Sequence, residues 1–266
     1  MDPTFAHHRL AASLAGQPIG HTVLYHAETA STNDVARALA EAGYPHGVTV
    51  VADHQTAGRG RRGAEWFSPP RKNILLSVIL RPSEPIHEWP RLTHLAALAV
   101  CEGIEAVLPE LHPQVKWPND IFLSGRKVAG LLLESAFPAQ APAFAVLGLG
   151  LNVNLHPRDV PQPLRDLTTS LAVESAQPTI PREPVASAIL RALNRILARP
   201  SEDFPRVLDA LRGRSTLLGR RVRVGFGDRE VVGVAHNLGS AGQLVLRSDD
   251  GSECDLTAVE SVRLLE

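Results

Sequence analysis

Residues 58–70 read GRGRRGAEWFSPP, and this stretch decides whether the chain has a Rossmann fold. Its first six residues match G-x-G-x-x-G, the dinucleotide-binding fingerprint, which needs a helix that starts at the glycines and receives the pyrophosphate. An aromatic residue pair and two prolines follow instead, and they do not propagate a helix. We therefore reject a Rossmann fold and predict a flexible loop that carries three guanidinium groups.

This Gly-Arg loop, residues 58–63, is suited to an anionic ligand. Arginine offers a rigid fork of donors that matches phosphate and carboxylate oxygens. Glycine lets the backbone approach an anion and lets a loop close over it. A solvated basic loop, or a segment that contacts RNA, fits the same residues, so the loop taken alone leaves both interpretations open.

Outward from the loop, hydrophobic periodicity predicts a mixed α/β body. Strands are predicted at residues 48–52, 73–80, 115–117, 121–123, 127–133 and 144–153. Helices are predicted at residues 35–42, 92–107, 185–196 and 204–211. The small polar residues 31–34 can cap the first helix. Residues 156–184 are rich in proline and show no clear pattern.

The pattern changes after about residue 213. Short alternating segments follow at residues 222–224, 230–234, 243–246 and 261–264, separated by glycine turns and without a helix signal. Such a pattern is typical of a small β-barrel. We therefore predict two domains, a mixed α/β domain at residues 1–213 and a small barrel at residues 214–266.

Composition narrows the classes of protein. The chain has 266 residues, 44% of them hydrophobic, and a net charge of -1, which argues against a dedicated nucleic-acid binder. Cys101 and Cys254 lie far apart and outside any ligand cluster, so neither a disulfide framework nor a zinc site is indicated. The sequence shows no signal peptide and no apolar stretch of the ~20 residues that span a bilayer. We expect a cytoplasmic protein that does not enter a membrane.

A second motif is Lys116-Trp117-Pro118-Asn119-Asp120. A lysine, an amide and a carboxylate in one pentapeptide are costly to bury unless they share a ligand or ion. A magnesium–nucleotide site would use Asp120 or Asn119 for the metal and Lys116 as a point charge. For the pentapeptide taken alone, a strand end followed by an Asn-Asp turn is the favoured interpretation.

A third motif is RKVAGLLLE at residues 126–134. Lys127 opens an otherwise apolar strand, where its charge needs an anion, and Gly130 removes a side chain where something approaches the sheet. A lysine that extends to solvent and a packing glycine are the alternatives. Ser31-Thr32-Asn33 is likewise either a helix cap or a set of contacts for a neutral polar ligand.

The order and spacing of these motifs are more specific than any one of them. The series runs Ser31-Thr32-Asn33, Gln55 with the Gly-Arg loop and Trp66, residues 116–120, Lys127 with Gly130 and Glu134, and GLGLN at residues 148–152. In this order the sequence resembles the biotin–protein ligases (biotin–acetyl-CoA-carboxylase ligases). The resemblance covers about residues 23–152 by motif and the C-terminal segment by length and pattern.

The resemblance implies an α+β fold, a mixed sheet with flanking helices like that of class II aminoacyl-tRNA synthetases, plus a C-terminal SH3-like β-barrel. It implies an enzyme that uses ATP and Mg²⁺ to form biotinoyl-AMP. The enzyme would then transfer biotin to a lysine of a biotin carboxyl carrier protein. Positioning and opposing charge would bring the two anionic reactants together, and a closed loop would shield the adenylate from water.

The resemblance also implies roles for individual residues. The catalytic residues would be Lys127, Arg59 and Arg61. Biotin would contact Ser31, Thr32, Asn33, Gln55, Arg59, Gly60, Arg61, Lys127, Gly130 and Gly148. ATP and the adenylate would contact Trp66, Lys116, Asn119, Asp120 and Asn152, and Asp120 would bind the magnesium ion.

Two departures from the family pattern stand out. Ala64 and Glu65 follow Gly63 where the family often has a further basic residue, so loop closure is expected to differ. Thirty residues precede Ser31, too few for the winged helix of relatives that double as repressors, so we predict no sequence-specific DNA binding.

Two other functions remain open at this stage. A lipoate or octanoate ligase or transferase of the same superfamily would share the motifs, and a nucleic-acid-binding regulator would use the arginine loop. The oligomeric state, monomer or homodimer, is not determined by the sequence.

Overall fold

The computed structural model describes residues 5–139, 142–226, 229–257 and 259–265. The outer ends of the two predicted domains, residues 1–4 and 266, therefore lie outside the described residues. Among the described residues, no helix has the length and apolar character needed to cross a bilayer.

The larger unit is built on a seven-stranded mixed sheet with the order β1-β2-β3-β7-β6-β5-β4. Only the β1–β2 pair is parallel, and the other pairs are antiparallel. The strands are β1 (Val23–His26), β2 (Thr49–Ala52), β3 (Asn73–Leu80), β4 (Gln114–Lys116), β5 (Asp120–Leu123), β6 (Arg126–Ala136) and β7 (Phe144–Asn152). The predicted mixed sheet with flanking helices is confirmed.

Seven α-helices are present among the described residues: α1 (His7–Ser13), α2 (Thr32–Glu41), α3 (Arg91–Val107), α4 (Gln162–Arg165), α5 (Leu171–Glu174), α6 (Arg182–Ile196) and α7 (Pro200–Gly213). The paired helices α3 and α6 cover one face of the sheet, and α2 packs on the other face against β2, β3 and β7. The candidate site residues lie on the α2 face, which we call the site face.

Strand alternation assigns residues to the site face. On β7, Phe144 and Val146 pack with α2, whereas Leu147, Leu149 and Leu151 belong to the core on the opposite face. Gly148, Gly150 and Asn152 therefore continue the site face. A glycine pair here leaves room above the sheet, which the apolar β7 sequence would otherwise fill.

The C-terminal unit is a five-stranded antiparallel sheet with the order β11-β10-β9-β8-β12. Its strands are β8 (Arg221–Phe226), β9 (Arg229–Leu238), β10 (Leu244–Arg247), β11 (Glu253–Leu256) and β12 (Ser261–Leu264). The sheet is consistent with the predicted SH3-like barrel, although no pairing between its outer strands closes it within the described residues. The boundary at residues 213/214 stays a prediction.

Four local differences from the sequence interpretation have physical causes. Helix α1 and strand β1 carry no strong periodicity and were not predicted. Strand β11 was missed because Glu253, Cys254 and Asp255 are all exposed. The sequence pattern predicts a strand at Trp117, but this residue lies in the turn between β4 and β5. Its peptide bond to Pro118 is cis.

Candidate active site

A cavity of about 390 Å³ opens on the site face between the Gly-Arg loop, the sheet and strand β12. All the residues predicted from the sequence line it except Asn152. They are Ser31, Thr32, Asn33, Gln55, Arg59, Gly60, Arg61, Trp66, Lys116, Asn119, Asp120, Lys127, Gly130 and Gly148. Segments that are far apart in the chain are thus brought to one place, although this proximity does not itself assign them roles.

One end of the cavity is a buried polar cluster at the start of α2. Gln55 Oε1 accepts hydrogen bonds from the Thr32 backbone N–H at 2.8 Å and from the Thr32 hydroxyl at 2.9 Å. Ser31 occupies the N-cap position, yet its side chain makes no capping hydrogen bond. The expected cap is therefore supplied by Gln55, and the Ser31 hydroxyl remains available to a ligand.

Ser77 belongs to this cluster and was missed from the sequence. Its hydroxyl oxygen lies 2.8 Å from the Thr32 hydroxyl oxygen and 2.6 Å from Asn33 Oδ1. The signal was a single polar residue within the apolar run ILLSVIL of β3. Asn33 Nδ2 in turn donates to Glu134 Oε2 at 2.7 Å, so the cluster is held in one arrangement.

Glycine is required on β7 because other side chains occupy the space above it. A Cβ on Gly148 would lie 2.3 Å from Asn33 Oδ1, and one on Gly150 would lie 2.4 Å from the Trp66 ring. Gly130 lies opposite Gly150 in the sheet, and its Cβ would approach the same indole at 3.2 Å. The absence of side chains at these glycines leaves the space that Asn33 and Trp66 occupy.

The other end of the cavity is cationic. Lys127 Nζ lies 2.6 Å from Asp120 Oδ1 and 5.4 Å from the centroid of the Trp66 ring. Burial lowers the pKa of Lys116, and the nearby positive charge of Lys127 lowers it further. A lysine whose charge is poorly solvated in this way gains from an anionic ligand.

The Gly-Arg loop is held from both sides. Arg59 forms a bidentate pair with Asp34 at 2.7 and 2.5 Å, and its guanidinium holds the pKa of Asp34 below the ordinary value. Arg61 donates to the backbone oxygen of Val259 at 3.2 Å, and Arg62 pairs with Glu260. Burial lowers the pKa of Arg61.

The C-terminal unit therefore contributes to the cavity, which the sequence did not predict. Val259, Glu260, Ser261, Val262 and Arg263 are part of the lining. No motif marks these residues, because their role arises from docking of the C-terminal sheet beside the loop. The charged lining comprises five cations (Arg59, Arg61, Lys116, Lys127, Arg263) and three anions (Glu65, Asp120, Glu260).

Asn152 does not line the cavity. It lies at the end of β7, 2% exposed, and its Nδ2 donates to the backbone oxygen of Thr169 at 3.1 Å. Its predicted contact with ATP therefore requires a different arrangement of the residues above it.

The carboxylate and amide oxygens of the cavity determine how a magnesium ion could be bound there. Among the described residues, no group of three or more His, Cys, Asp or Glu side chains is placed to hold a metal ion. Asp120 and Asn119 offer hard oxygen donors in the cavity. Since Mg²⁺ is commonly bound by one or two carboxylates together with nucleotide phosphates, these residues fit an ion that arrives with its nucleotide.

A mixed sheet with a cationic cavity on one face and a small antiparallel sheet beside it is the architecture of the biotin protein ligases. The structure superposes on the biotin protein ligase of Aquifex aeolicus in complex with biotin and ATP, with a TM-score of 0.79 and 26% identity over 92% of this chain and 99% of that chain. The Biotin/lipoate A/B protein ligase family model matches residues 25–152. The chain belongs to this family.

Two relatives support the assignment by sequence. The biotin--[acetyl-CoA-carboxylase] ligase of Mycobacterium tuberculosis is 38% identical over 83% of this chain and 81% of its own length. The bifunctional ligase/repressor BirA of Bacillus subtilis is 40% identical over 66% of this chain and 54% of its own length. The chain thus spans about half the length of the Bacillus relatives that it matches.

Proposed function

We propose that this protein is an ATP-dependent biotin–protein ligase. The observation that carries the proposal is the polarity of the cavity, with a buried amide and hydroxyl cluster at one end and Lys127 with Arg61 at the other. Biotin has the matching polarity, a ureido ring that donates and accepts hydrogen bonds and a carboxylate at the end of an apolar chain. The names of the relatives and of the superposed structure support the same activity.

In the first half-reaction, a biotin carboxylate oxygen attacks the α-phosphorus of ATP, the bond to the β-phosphate oxygen breaks, and pyrophosphate leaves. Both reactants are anions, so the chain must offset their repulsion. Lys127, which lines the cavity, would orient the carboxylate and α-phosphate, and Arg59 and Arg61 would add positive charge from the loop. Preorganised charges in a closed site contribute most to such reactions.

Asp120 and Asn119 would hold a magnesium ion, which would supply further positive charge to the phosphates. Lys127 Nζ lies 2.6 Å from Asp120 Oδ1. Since an ammonium has three N–H donors, Lys127 would bind the incoming anions through its remaining donors, and Asp120 would offer its other oxygen to the metal. The magnesium role of Asp120 is part of the proposal.

In the second half-reaction, a lysine amine of the acceptor attacks the acyl carbon, loses a proton, and AMP leaves with the acyl oxygen. The proposed acceptor is a biotin carboxyl carrier domain of a carboxylase. The Gly-Arg loop, held by Asp34 and Glu260, would retain the adenylate until the acceptor arrives. Cytoplasmic location, a monomeric or dimeric state and the absence of DNA binding stay predictions.

The experiment that tests the proposal incubates the protein with biotin, ATP, Mg²⁺ and a biotin carboxyl carrier domain, and measures the intact mass of the carrier. A mass gain of one biotinyl group is expected, and an unchanged mass with a carrier that a known ligase can modify would contradict the proposal. Parallel reactions contain lipoate or octanoate. These acids cannot bond to the polar cluster at Thr32, Asn33 and Gln55, so modification by either in preference to biotin would assign the alternative function.

A further inference from the structure

A β-bulge near the start of β6 decides on which face of the sheet Lys127 lies. Two successive residues of β5, 121 and 122, pair with Ala129 and Lys127, so Val128 is one extra residue on β6. Val128 and Ala129 are both fully buried in the core opposite the site face. Because successive side chains of a regular strand point to opposite faces, Lys127 would share the core face with Ala129 if the bulge were absent. The bulge turns Lys127 toward the cavity instead, where its Nζ would lie 3.3 Å from a Cβ on Gly130.

The backbone of Lys127 is bonded to residues 167–169, which we call the clamp segment. The Lys127 N–H donates to the carbonyl oxygen of Leu167 at 2.9 Å, and the Lys127 carbonyl oxygen accepts from the Thr169 N–H at 2.9 Å. These bonds form a parallel bridge between Lys127 and Thr168. A bulge interrupts the regular ladder of a strand pair, and buried backbone groups need partners. The clamp segment therefore supplies the bonds that hold Lys127 beside the bulge.

One carboxylate fastens the clamp segment to the start of β6. Glu174 lies on α5, and its side chain is 8% exposed. Its Oε1 accepts from the Thr169 hydroxyl at 2.5 Å and from Arg126 Nη2 at 2.7 Å. Its Oε2 accepts from the Ser124 hydroxyl at 2.6 Å. Thr169 belongs to the clamp segment, whereas Ser124 and Arg126 directly precede Lys127, so Glu174 joins the two sides between which this lysine is held.

The carboxylate of Glu174 is strongly bonded in its charged form. Burial alone would raise the pKa of Glu174. The hydrogen bonds from Ser124 and Thr169, together with the charge and hydrogen bond of Arg126, outweigh burial, and the pKa lies below its ordinary value. Hydrogen bonds to an ionised acceptor are stronger than neutral ones. Three of them on one carboxylate restrict the chain on both sides of Lys127.

We propose that Glu174 is a positioning residue for Lys127, which fastens the clamp segment to the bulged start of β6 and thereby keeps the lysine ammonium in the cavity. The inference rests on the proposed role of Lys127 in adenylate formation. Glu174 itself does not line the cavity, so it acts through the backbone and not on a substrate. A displacement of about 1 Å that originates far from the reacting atoms can lower a rate by roughly a hundredfold.

The first measurement reads the position of Lys127 without any substrate. The chain has three lysines, Lys72, Lys116 and Lys127, so isotope labelling of lysine gives three side-chain NMR signals, which are assigned by replacing each lysine in turn by glutamine. In Glu174→Ala, the Lys127 signal should shift, because the ammonium moves relative to the Trp66 ring, whose centroid lies 5.4 Å from Nζ. The Lys72 signal should stay in place.

The second measurement separates binding from chemistry. In Glu174→Ala, the single-turnover rate of biotinoyl-AMP formation should fall by about tenfold, because Lys127 is less well placed. The Kd for biotin, measured by isothermal titration, should change by less than about twofold, because the polar cluster at the start of α2 is unchanged. Glu174→Gln should recover the rate to within about threefold, since its amide oxygen can accept from Thr169 and Arg126 and its amide N–H can donate to Ser124.

Glu88→Ala is the matched control. Glu88 directly precedes α3, and its Oε2 lies 2.7 Å from Arg91 Nη1 and accepts from the Ser201 hydroxyl at 2.8 Å. It resembles Glu174 in binding one arginine and a hydroxyl group, but it lies outside the cavity lining. Its replacement should lower the Tm, as Glu174→Ala does, and should leave the Lys127 signal and the rate of adenylate formation unchanged.

An unmoved Lys127 signal in Glu174→Ala would overturn the proposal, and so would a rate equal to that of Glu88→Ala. If Glu174→Ala does not fold, Thr169→Val removes one hydroxyl donor from the same carboxylate at nearly unchanged shape. The same two outcomes then decide the matter with this variant. The proposed function fails separately, because a protein whose Lys127 signal depends on Glu174 but which does not biotinylate its carrier would lose the proposed activity and retain this positioning.

Discussion

The ammonium nitrogen of Lys127 lies 2.6 Å from the Asp120 carboxylate, and the two residues stand on neighbouring antiparallel strands, β6 and β5. Both side chains are only partly exposed, so each charge is offset by the other inside the cavity. In the proposed reaction, the remaining N–H donors of Lys127 would bind phosphate and carboxylate oxygens.

Asp120→Asn should raise the magnesium concentration needed for half-maximal adenylate formation by about tenfold, because a neutral amide is a weaker ligand than a carboxylate for this ion. The measurement is a magnesium titration of pyrophosphate release. Asp159→Asn, which removes the partner of Lys72 at a place outside the cavity lining, serves as the control. An unchanged magnesium requirement in Asp120→Asn would remove this residue from the proposed metal site.

Lys127→Gln should lower the rate of adenylate formation by about a hundredfold or more, since one preorganised charge at the reacting atoms is lost. Single-turnover measurement of biotinoyl-AMP gives the rate. Lys72→Gln changes one of only two other lysines in the chain and should retain the wild-type rate. Equal rates in the two variants would contradict the role of Lys127.

Arg61→Ala should release biotinoyl-AMP into solution, because the loop loses its contact with the Val259 carbonyl oxygen and closes less tightly. We expect free adenylate to increase by about tenfold in the absence of acceptor, on the scale of one lost charged hydrogen bond. Free adenylate is quantified by chromatography after filtration of the protein. Arg9→Ala, on exposed α1, should retain adenylate as the wild type does, and equal retention by both variants would refute the role of Arg61.

Gly148→Ala should raise KM for biotin by about tenfold or more, because the added methyl group displaces Asn33 from the polar cluster, and overpacking of this kind costs roughly 1–3 kcal/mol. Gly213→Ala adds a methyl group where nothing lies within 4 Å, and its KM should match that of the wild type. A Gly148→Ala enzyme with normal KM would show that Asn33 does not position biotin.

Only one of the two thiols should react under native conditions. Cys101 is buried and Cys254 is exposed, and burial raises the pKa of the Cys101 thiol to about 12. Its thiolate fraction at pH 8 is then about one in ten thousand, and the thiolate is the reactive form. Titration with a disulfide reagent should give one equivalent in buffer and two in denaturant, and two fast equivalents in buffer would contradict the buried position of Cys101.

The elements predicted correctly share a strong local signal. Strand β3 is an apolar run in which only Asn73 and Ser77 are polar, and helices α3 and α6 each carry a marked apolar stripe. Helix α1 and strand β11 lack such signals because few of their residues are buried. Their positions depend on neighbouring elements, so periodicity could not have located them.

The residues of the candidate site likewise divide into those that the local sequence marked and those that it did not. Short motifs marked three kinds of position: Thr32 among small polar residues at a helix start, Lys127 as a charge at the start of an apolar strand, and Gln55 by its place beside the Gly-Arg loop in the order of motifs. Nothing local marked Glu260, whose contact with Arg62 joins residues almost two hundred positions apart along the chain.

The sequence by itself determined which chemical groups the chain carries. These are the arginines of the Gly-Arg loop and two of the three lysines of the chain, at residues 116 and 127. The order of the motifs also indicated the family. Only the tertiary structure decided how these groups are partnered. Gln55 takes over the cap expected of Ser31, and Lys127 is neutralised by Asp120. The physical reason is that residue type fixes a side chain's charge and its donors and acceptors, whereas burial and hydrogen bonding depend on strands and loops that meet only when the chain folds.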